Sequence, residues 1–201
     1  MGAAPAAQGR PRDPEVDRRI ARAALDVFGD AGWAGFAMET VARRAGVGKA
    51  SLYLRWSSKE ALLTHALTTG LVRVSDVDTG TLHGDLVELA KQIIELYLGP
   101  SSRAAMRLSF EASTIPGVAE QYQAMRTAQI GAARSIVRRG IARDELPAAA
   151  SVTLLLETLM GGAMMHALNT PPGKRGDTAR HARRLVDFLL AAVSDGPGRP
   201  G

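Results

Sequence analysis

Apolar residues at Val16, Ile20, Ala24, Val27 and Phe28 follow one another at intervals that place them on a single face of a helix. Asp13 followed by Pro14 marks the start of that helix, because Asp accepts from the free amides of a first turn and Pro suits the first helical position. Gly29, Gly32 and Gly35 end it. Two short segments follow, 38–45 and 49–56, separated by Gly46-Val47-Gly48. Helices of two turns are marginal alone, so packing of Val41, Ala42, Val47 and Leu52 with Phe28 must hold them. Ser57 and Glu60 have the spacing of a capping box and open a helix running to about Val74. A linker with Gly and Asp occupies 76–84, and helices are expected over 85–98, 102–114, 118–140, 149–168 and 178–194. No strand-like alternation interrupts this series.

The pattern of 149–168 differs from the others. Val152, Leu155, Leu156, Leu159 and Met160 form one apolar side, and Leu154, Met165 and Leu168 form another. A helix that is apolar all round is buried all round. In a chain of this size the second face calls for a subunit partner. The stripe Leu185, Val186, Phe188, Leu189, Ala192 and Val193 is similarly broad, so a four-helix seam between two copies is expected. Its candidate contacts are Leu155, Leu159, Gly162, Met165, Leu185, Phe188, Leu189 and Ala192. Gly161-Gly162 inside a helix implies close approach of a neighbour, room for a ligand, or a kink.

Composition narrows the chemistry. The 201 residues contain 34 Ala and 22 Leu against 13 Val and 7 Ile, a balance that favours helix. Cysteine is absent, which removes disulfides, thiolate metal sites and thiol nucleophiles together. The four His lack metal-ligand spacing and no nucleophile elbow occurs, so no metal, cofactor or catalytic residue is expected. The most apolar run, 154–168, is 15 residues long and includes Glu157, short of the roughly 20 residues of a membrane span. The first 20 residues lack the apolar core of a secretory signal, so a cytoplasmic protein without membrane contact is expected. Net charge is +5, but 21 of the 25 cations are Arg, which a GC-rich genome also produces, so local clustering decides its meaning.

One cluster stands out. Between Thr40 and Lys59 there are five cations, Arg43, Arg44, Lys49, Arg55 and Lys59, and no acid. A short helix, a glycine-containing turn and a second short helix form a helix-turn-helix, whose second helix can enter a DNA major groove while cations meet the phosphates. The second helix would present Lys49, Ala50, Ser51, Tyr53 and Leu54. Gly46-Val47-Gly48-Lys49-Ala50-Ser51 is not a phosphate-binding loop, since Ala50 follows the Lys and Arg43 stands where the first Gly is needed.

These residues resemble the tetracycline-repressor (TetR) family of bacterial transcription regulators. Val41-Ala42, Ala45-Gly46-Val47, Ser51-Leu52-Tyr53, Trp56 and Ser58-Lys59-Glu60 meet its pattern, and the match covers 14–60. The resemblance implies an all-α protein with a three-helix helix-turn-helix DNA-binding domain followed by a helical ligand-binding and dimerisation bundle. It implies that Tyr53 and Lys59 contact phosphate, that 49–54 reads bases, and that the protein is a dimer; Arg43 and Arg44 of the cation cluster and Trp56 of the matched pattern are candidate contacts of the same interface. Two departures are Ala37, where the family has a capping Ser or Thr, at a cost of about 1 kcal/mol, and the apolar Leu54, suited to a thymine methyl.

The expected organisation is therefore a tail over 1–12, a DNA-binding module over 13–58, a ligand-binding and dimerising bundle over 59–194 and a tail over 195–201. Partners are a pseudo-palindromic DNA operator, a small, largely apolar effector and a second copy of the chain. Tyr97, Met106, Phe110, Tyr122, Met125, Met160, Met164 and His166 are candidate effector contacts, because Met and aromatic side chains fill adaptable pockets. Glu111 and Glu157 are candidate polar anchors. The leading function is repression relieved by the effector. The alternatives are a regulator answering to a protein partner or to no effector, acting as an activator, and more remotely a helical enzyme or structural protein.

Overall fold

The computed structural model describes residues 13–71, 75–171 and 177–194, and the expected tails fall outside them. Among the described residues the regular structure is helical throughout: α1 (Pro14–Ala31), α2 (Met38–Ala45), α3 (Lys49–Tyr53), α4 (Lys59–Gly70), α5 (Leu82–Leu98), α6 (Ser102–Glu111), α7 (Ala119–Ala142), α8 (Val152–Asn169) and α9 (Thr178–Ser194), with a 3-10 turn at Ala112–Thr114. None of these helices is long and apolar enough to cross a membrane.

Local chemistry explains most boundaries. Asp13 caps α1 by accepting from the Glu15 amide at 2.9 Å, with Pro14 in the first turn. Ala37 leaves α2 without a side-chain cap. The cap of α4 is Ser58, which accepts from the Ala61 amide, so the expected box on Ser57 shifts by one residue. α3 stops at Tyr53 rather than 56, because the amides of Arg55 and Trp56 both turn back to the Leu52 carbonyl and Trp56 folds inward. α4 ends at Gly70, short of Val74, which lies outside the described residues. α5 starts at Leu82 rather than 85, since the Thr81 hydroxyl accepts from the Gly84 amide. α8 starts at Val152, not 149, because the Ala150 amide closes a turn onto the Pro147 carbonyl and Ser151 supplies the cap.

Two apolar clusters form the interior. The first joins α1–α4, including Ile20, Phe28, Val41, Leu52 and Leu63, to Ala104, Leu108, Ala112, Ile115 and Val118 from α6 and the stretch after it. The second joins α5, the C-terminal half of α7, α8 and α9 through Leu86, Ile94, Ile136, Leu159 and Val186. The division between clusters therefore does not fall at residue 58: α4 and α6 belong with the N-terminal helices.

A buried charge network closes the second unit. Asp85 is fully buried and accepts from the Thr79 amide and hydroxyl at 2.6 and 2.7 Å, with Arg143 at 3.4 Å and Arg139 at 3.7 Å. Arg139 also grips both oxygens of Asp76, and Glu145 accepts from Arg143 and from the Leu82 amide. Burial pushes the Asp85 carboxyl up, but the Thr79 and Arg143 hydrogen bonds outweigh it and leave the group below the usual carboxylate range. The loop expected to be a plain polar linker is thereby stapled to the C-terminal end of α7.

Candidate nucleic-acid interface and ligand cavity

The turn between α2 and α3 needs Gly46, whose φ of 65° is left-handed and costs an ordinary side chain energy. Its amide bonds back to the Ala42 and Arg43 carbonyls and the Val47 amide to Ala42, which stops α2 within one residue. Leu52, with no exposed surface, anchors α3 in the first cluster. The opposite face then points outward: Lys49, Ala50, Tyr53 and Leu54 are exposed, Leu54 at 82%. Arg43 and Arg44 are exposed on α2, where Arg44 pairs with Asp30 at 2.7 Å. The Arg44 hydrogen bond lowers the Asp30 carboxyl, against the opposing effect of burial.

Three expected contacts have other engagements. Trp56 is a correction: at 9% exposure it lies in the first cluster against His65, ring centroids 5.2 Å apart, because α3 ends early and turns the indole inward. Ser51 is half-buried and accepts from Arg55 at 2.6 Å, while Arg55 pairs with Asp17 at 2.8 Å, so this pair locks α3 to α1. The Lys59 ammonium sits 3.8 Å above the centre of the Trp33 ring. Sequence reasoning missed Glu39, which accepts from the Tyr53 hydroxyl at 3.2 Å and pairs with Lys49 at 3.5 Å. Hydrogen bonding to its own amide and the nearby Lys49 lower the Glu39 carboxyl, and burial and Glu39 together raise the Tyr53 phenol. No periodic signal relates positions 39, 49 and 53, since a turn separates them.

The N-terminal helices are held to the rest through α6. A side chain at Gly29 would meet the Arg103 Cβ at 2.9 Å and the Ala104 amide nitrogen at 3.0 Å, so α1 crosses α6 at backbone contact. Arg107 donates to the carbonyls of Gly29 and Asp30 at 2.9 and 3.2 Å and pairs with Glu111, which accepts from the Trp33 amide at 2.8 Å. Glu111 is thus a structural anchor of this junction. The Trp33 amide and Arg107 hold its carboxyl low against burial.

An apolar cavity of about 420 Å³ opens between α4, α6 and α7. Leu67, Leu108, Val118, Tyr122 and Met125 line it, with Thr64, Thr68, Ser75, Gln121 and Gln129 supplying polar groups, and no Asp, Glu, Lys, Arg or His is among the described lining residues. A second cleft of equal volume, beside α1, is lined by Asp17, Arg18, Arg22 and Glu95 among others and is the more polar of the two. Of the expected effector contacts only Tyr122 and Met125 reach the apolar cavity. Phe110 is a correction at 76% exposure, because Ala104, Ala105 and Leu108 fix the buried face of α6 and turn position 110 outward. Tyr97 packs on the second cluster with its hydroxyl 3.5 Å from Ser109, and Met160 packs on the same cluster. His166 stacks on His181 between α8 and α9, centroids 3.4 Å apart, and Met106 and Met164 are half-buried away from the cavity lining. Glu157 is exposed on α8.

The α8/α9 surface corrects another group. Leu155, Leu159 and Leu189 are buried inside the chain's own second cluster, so they are not free to meet a partner. Gly162 and Leu185 face each other, a Cβ at 162 lying 3.0 Å from a Leu185 methyl, which makes this glycine a point of close helix approach within one chain. Met165, Phe188 and Ala192 are exposed as expected, and Leu154 and Leu168 join them.

Comparison with known proteins places this geometry. Residues 20–66 match the model described as bacterial regulatory proteins, tetR family, and residues 76–189 match the model described as tetracyclin repressor-like, C-terminal domain. The HTH-type transcriptional regulator AqdR of Rhodococcus erythropolis is 29% identical over 163 residues, 81% of this chain and 78% of that protein. YdeS of Bacillus subtilis, an uncharacterised HTH-type regulator, is 26% identical over 168 residues, 81% of this chain and 83% of its own. Among solved structures, MexZ, described as a key repressor responsible for antibiotic resistance in Pseudomonas aeruginosa, superposes with a TM-score of 0.75 at 20% identity over 92% of this chain and 98% of that one. FadR of Bacillus subtilis in complex with stearoyl-CoA superposes with a TM-score of 0.61 at 14% identity, covering 87% and 98%. At such identities the superpositions speak for the fold.

Proposed function

The chain belongs to the tetR family of bacterial transcriptional regulators, and from that premise we propose that it is a homodimeric repressor, released from a pseudo-palindromic operator by a small, uncharged, largely apolar molecule. The observation that carries the reading is the double role of α6. Leu108 lines the apolar cavity, while Arg107 and Glu111 on the same helix hold the C-terminal end of α1 and the Trp33 amide. A molecule seated against Leu108 therefore acts on the support of the DNA-binding module. The apolar walls and the absence of acidic and basic side chains from the described lining favour an uncharged effector.

The module over 13–58, with Lys59 just beyond it, supplies the DNA contacts, Lys49, Ala50 and Leu54 toward bases, and Arg43, Arg44, Tyr53 and Lys59 toward phosphate. The region over 59–194 supplies effector binding and dimerisation, the latter through Leu154, Met165, Leu168, Phe188 and Ala192. A dimer covers that exposed apolar face and presents two recognition helices to two half-sites. The work is done in the cytoplasm, where the operator is, and no cofactor takes part.

Linkage gives the test. An effector that weakens operator binding a hundredfold supplies about 2.7 kcal/mol of coupling, and DNA must weaken effector binding by the same factor. A labelled duplex from the region upstream of the chain's own gene is titrated with protein by anisotropy, with and without 1-decanol as an uncharged apolar probe. Weakened DNA binding that is lost in a Met125→Trp variant, which fills the cavity, supports the reading. Binding of the probe with no change in DNA affinity overturns the release mechanism.

A further inference from the structure

Glu39 is the sole acid between Met38 and Lys59, and it lies against Tyr53 and Lys49 of the proposed DNA-binding surface. Its carboxylate accepts a hydrogen bond from the Tyr53 hydroxyl at 3.2 Å and pairs with the Lys49 ammonium at 3.5 Å. Lys49 is the first residue of α3, and the N-terminal residues of a recognition helix are the ones that reach base edges. Glu39, about half exposed at the start of α2, is therefore held beside the first residue of α3. A carboxylate there opposes every phosphate backbone alike. It also occupies the only proton that Tyr53 has to donate. DNA that takes Tyr53 for a phosphate leaves Glu39 without that partner, facing a strongly negative surface.

Resting on the DNA-binding reading, we propose that Glu39 is a specificity-determining residue: it accepts a hydrogen bond from the exocyclic amino group of a base, cytosine N4, and penalises any duplex that offers no such group. Carboxylates read cytosine N4 in the major groove by this geometry. Only the right sequence replaces the hydrogen bond that Glu39 loses. On all other sequences the intramolecular set of Glu39, Lys49 and Tyr53 stays the better state, so the residue suppresses non-specific binding without adding to gross affinity.

The experiment selects duplexes from a randomised pool with the full-length wild type and with Glu39→Gln, then measures affinity for the selected and a scrambled duplex over a range of salt. Thermal melting verifies that the variant is folded. Glu39→Gln is expected to bind scrambled DNA about tenfold tighter, because one negative charge has left the interface. The preference for cytosine at one symmetric pair of positions should relax toward adenine, whose N6 and N7 suit an amide. The ratio of selected to scrambled affinity then falls at least tenfold. If both duplexes gain equally and no base preference changes, Glu39 acts only as bulk charge and the proposal is overturned. If the wild type distinguishes no sequence from a scrambled one, the DNA-binding reading itself falls and takes the proposal with it.

Discussion

The α1–α4 region and the α5–α9 region use their surfaces in opposite ways. In the first, apolar side chains are spent almost entirely on the interior, and among the described residues Leu54, just past the end of α3, is the one large aliphatic left well exposed. In the second, α8 and α9 complete one interior and still leave Leu154, Met165, Leu168 and Phe188 uncovered. The first region presents polar groups on short, tightly anchored helices, whereas the second presents an apolar face of side chains, and the cavity lies where α4 meets α6 and α7. The difference teaches that one region keeps its outer face polar, as a DNA-binding module requires, while the other leaves apolar surface uncovered.

The strongest way to break the comparison is to attack the anchor of the first region. Phe28 is fully buried where α1 meets its neighbours, and Phe28→Ala should cost about 3–5 kcal/mol. Because α6 shares that cluster, chemical denaturation should show the loss across the whole chain; a transition confined to α1–α4 would show that the two regions fold separately. Next in size is the outer face of α8. Leu154→Glu should leave the melting profile of the monomer near that of the wild type yet weaken dimerisation at least a hundredfold by analytical ultracentrifugation, about 2.7 kcal/mol. Leu155→Glu, one residue away but buried, should unfold the chain instead. If both variants dissociate without unfolding, the assignment of inner and outer faces is wrong.

The smallest effect is the sharpest. The folded carboxyls of Asp76 and Asp85 lie below their ordinary range, the first through its Arg139 hydrogen bond, the second because Thr79 and Arg143 outweigh burial. Such groups contribute stability above the unfolded carboxylate pKa of about 3.9, and that contribution fades as pH falls through their folded values. His181 is depressed by burial, then by His166 and Arg184, so its contribution is present above about 6.5 and fades on acidification below that. Melting temperature should decline gently below about pH 6.5 and more steeply below about pH 4. His181→Gln should flatten the upper decline alone, and a single acid transition at low pH in the wild type would rule out the imidazole contribution.

The same contrast explains what the sequence disclosed. The order of the helices followed from apolar spacing, and Asp13, Gly46 and Gly48 announced boundaries by chemistry local to each turn. The outward face of α3 was readable because Leu52 alone points inward. Trp56 was misplaced because a motif match says nothing of which way an indole turns after a helix ends. Phe110 was misplaced because two of the three residues that set the phase of α6, Ala104 and Ala105 beside Leu108, are small side chains with a weak apolar signal. Leu155 and Leu189 were assigned to a partner because a helix apolar on all sides gives no sign of which side its own chain takes. The network around Asp85 gave no local signal because its arginines lie more than 50 residues away.

The crossing of α1 over α6 has a consequence for protein engineering. A DNA-binding segment borrowed from a relative, grafted onto this bundle to make a sensor with a new operator, would have to bring a glycine at position 29 and leave the two carbonyls before the turn free for Arg107. A donor with alanine there would press its methyl into the Arg103 and Ala104 backbone and tilt the reading head. Chimeras of this regulator are therefore not cassettes joined at a linker. Their success should be sorted by what the donor carries at one small residue far from both the effector and the bases.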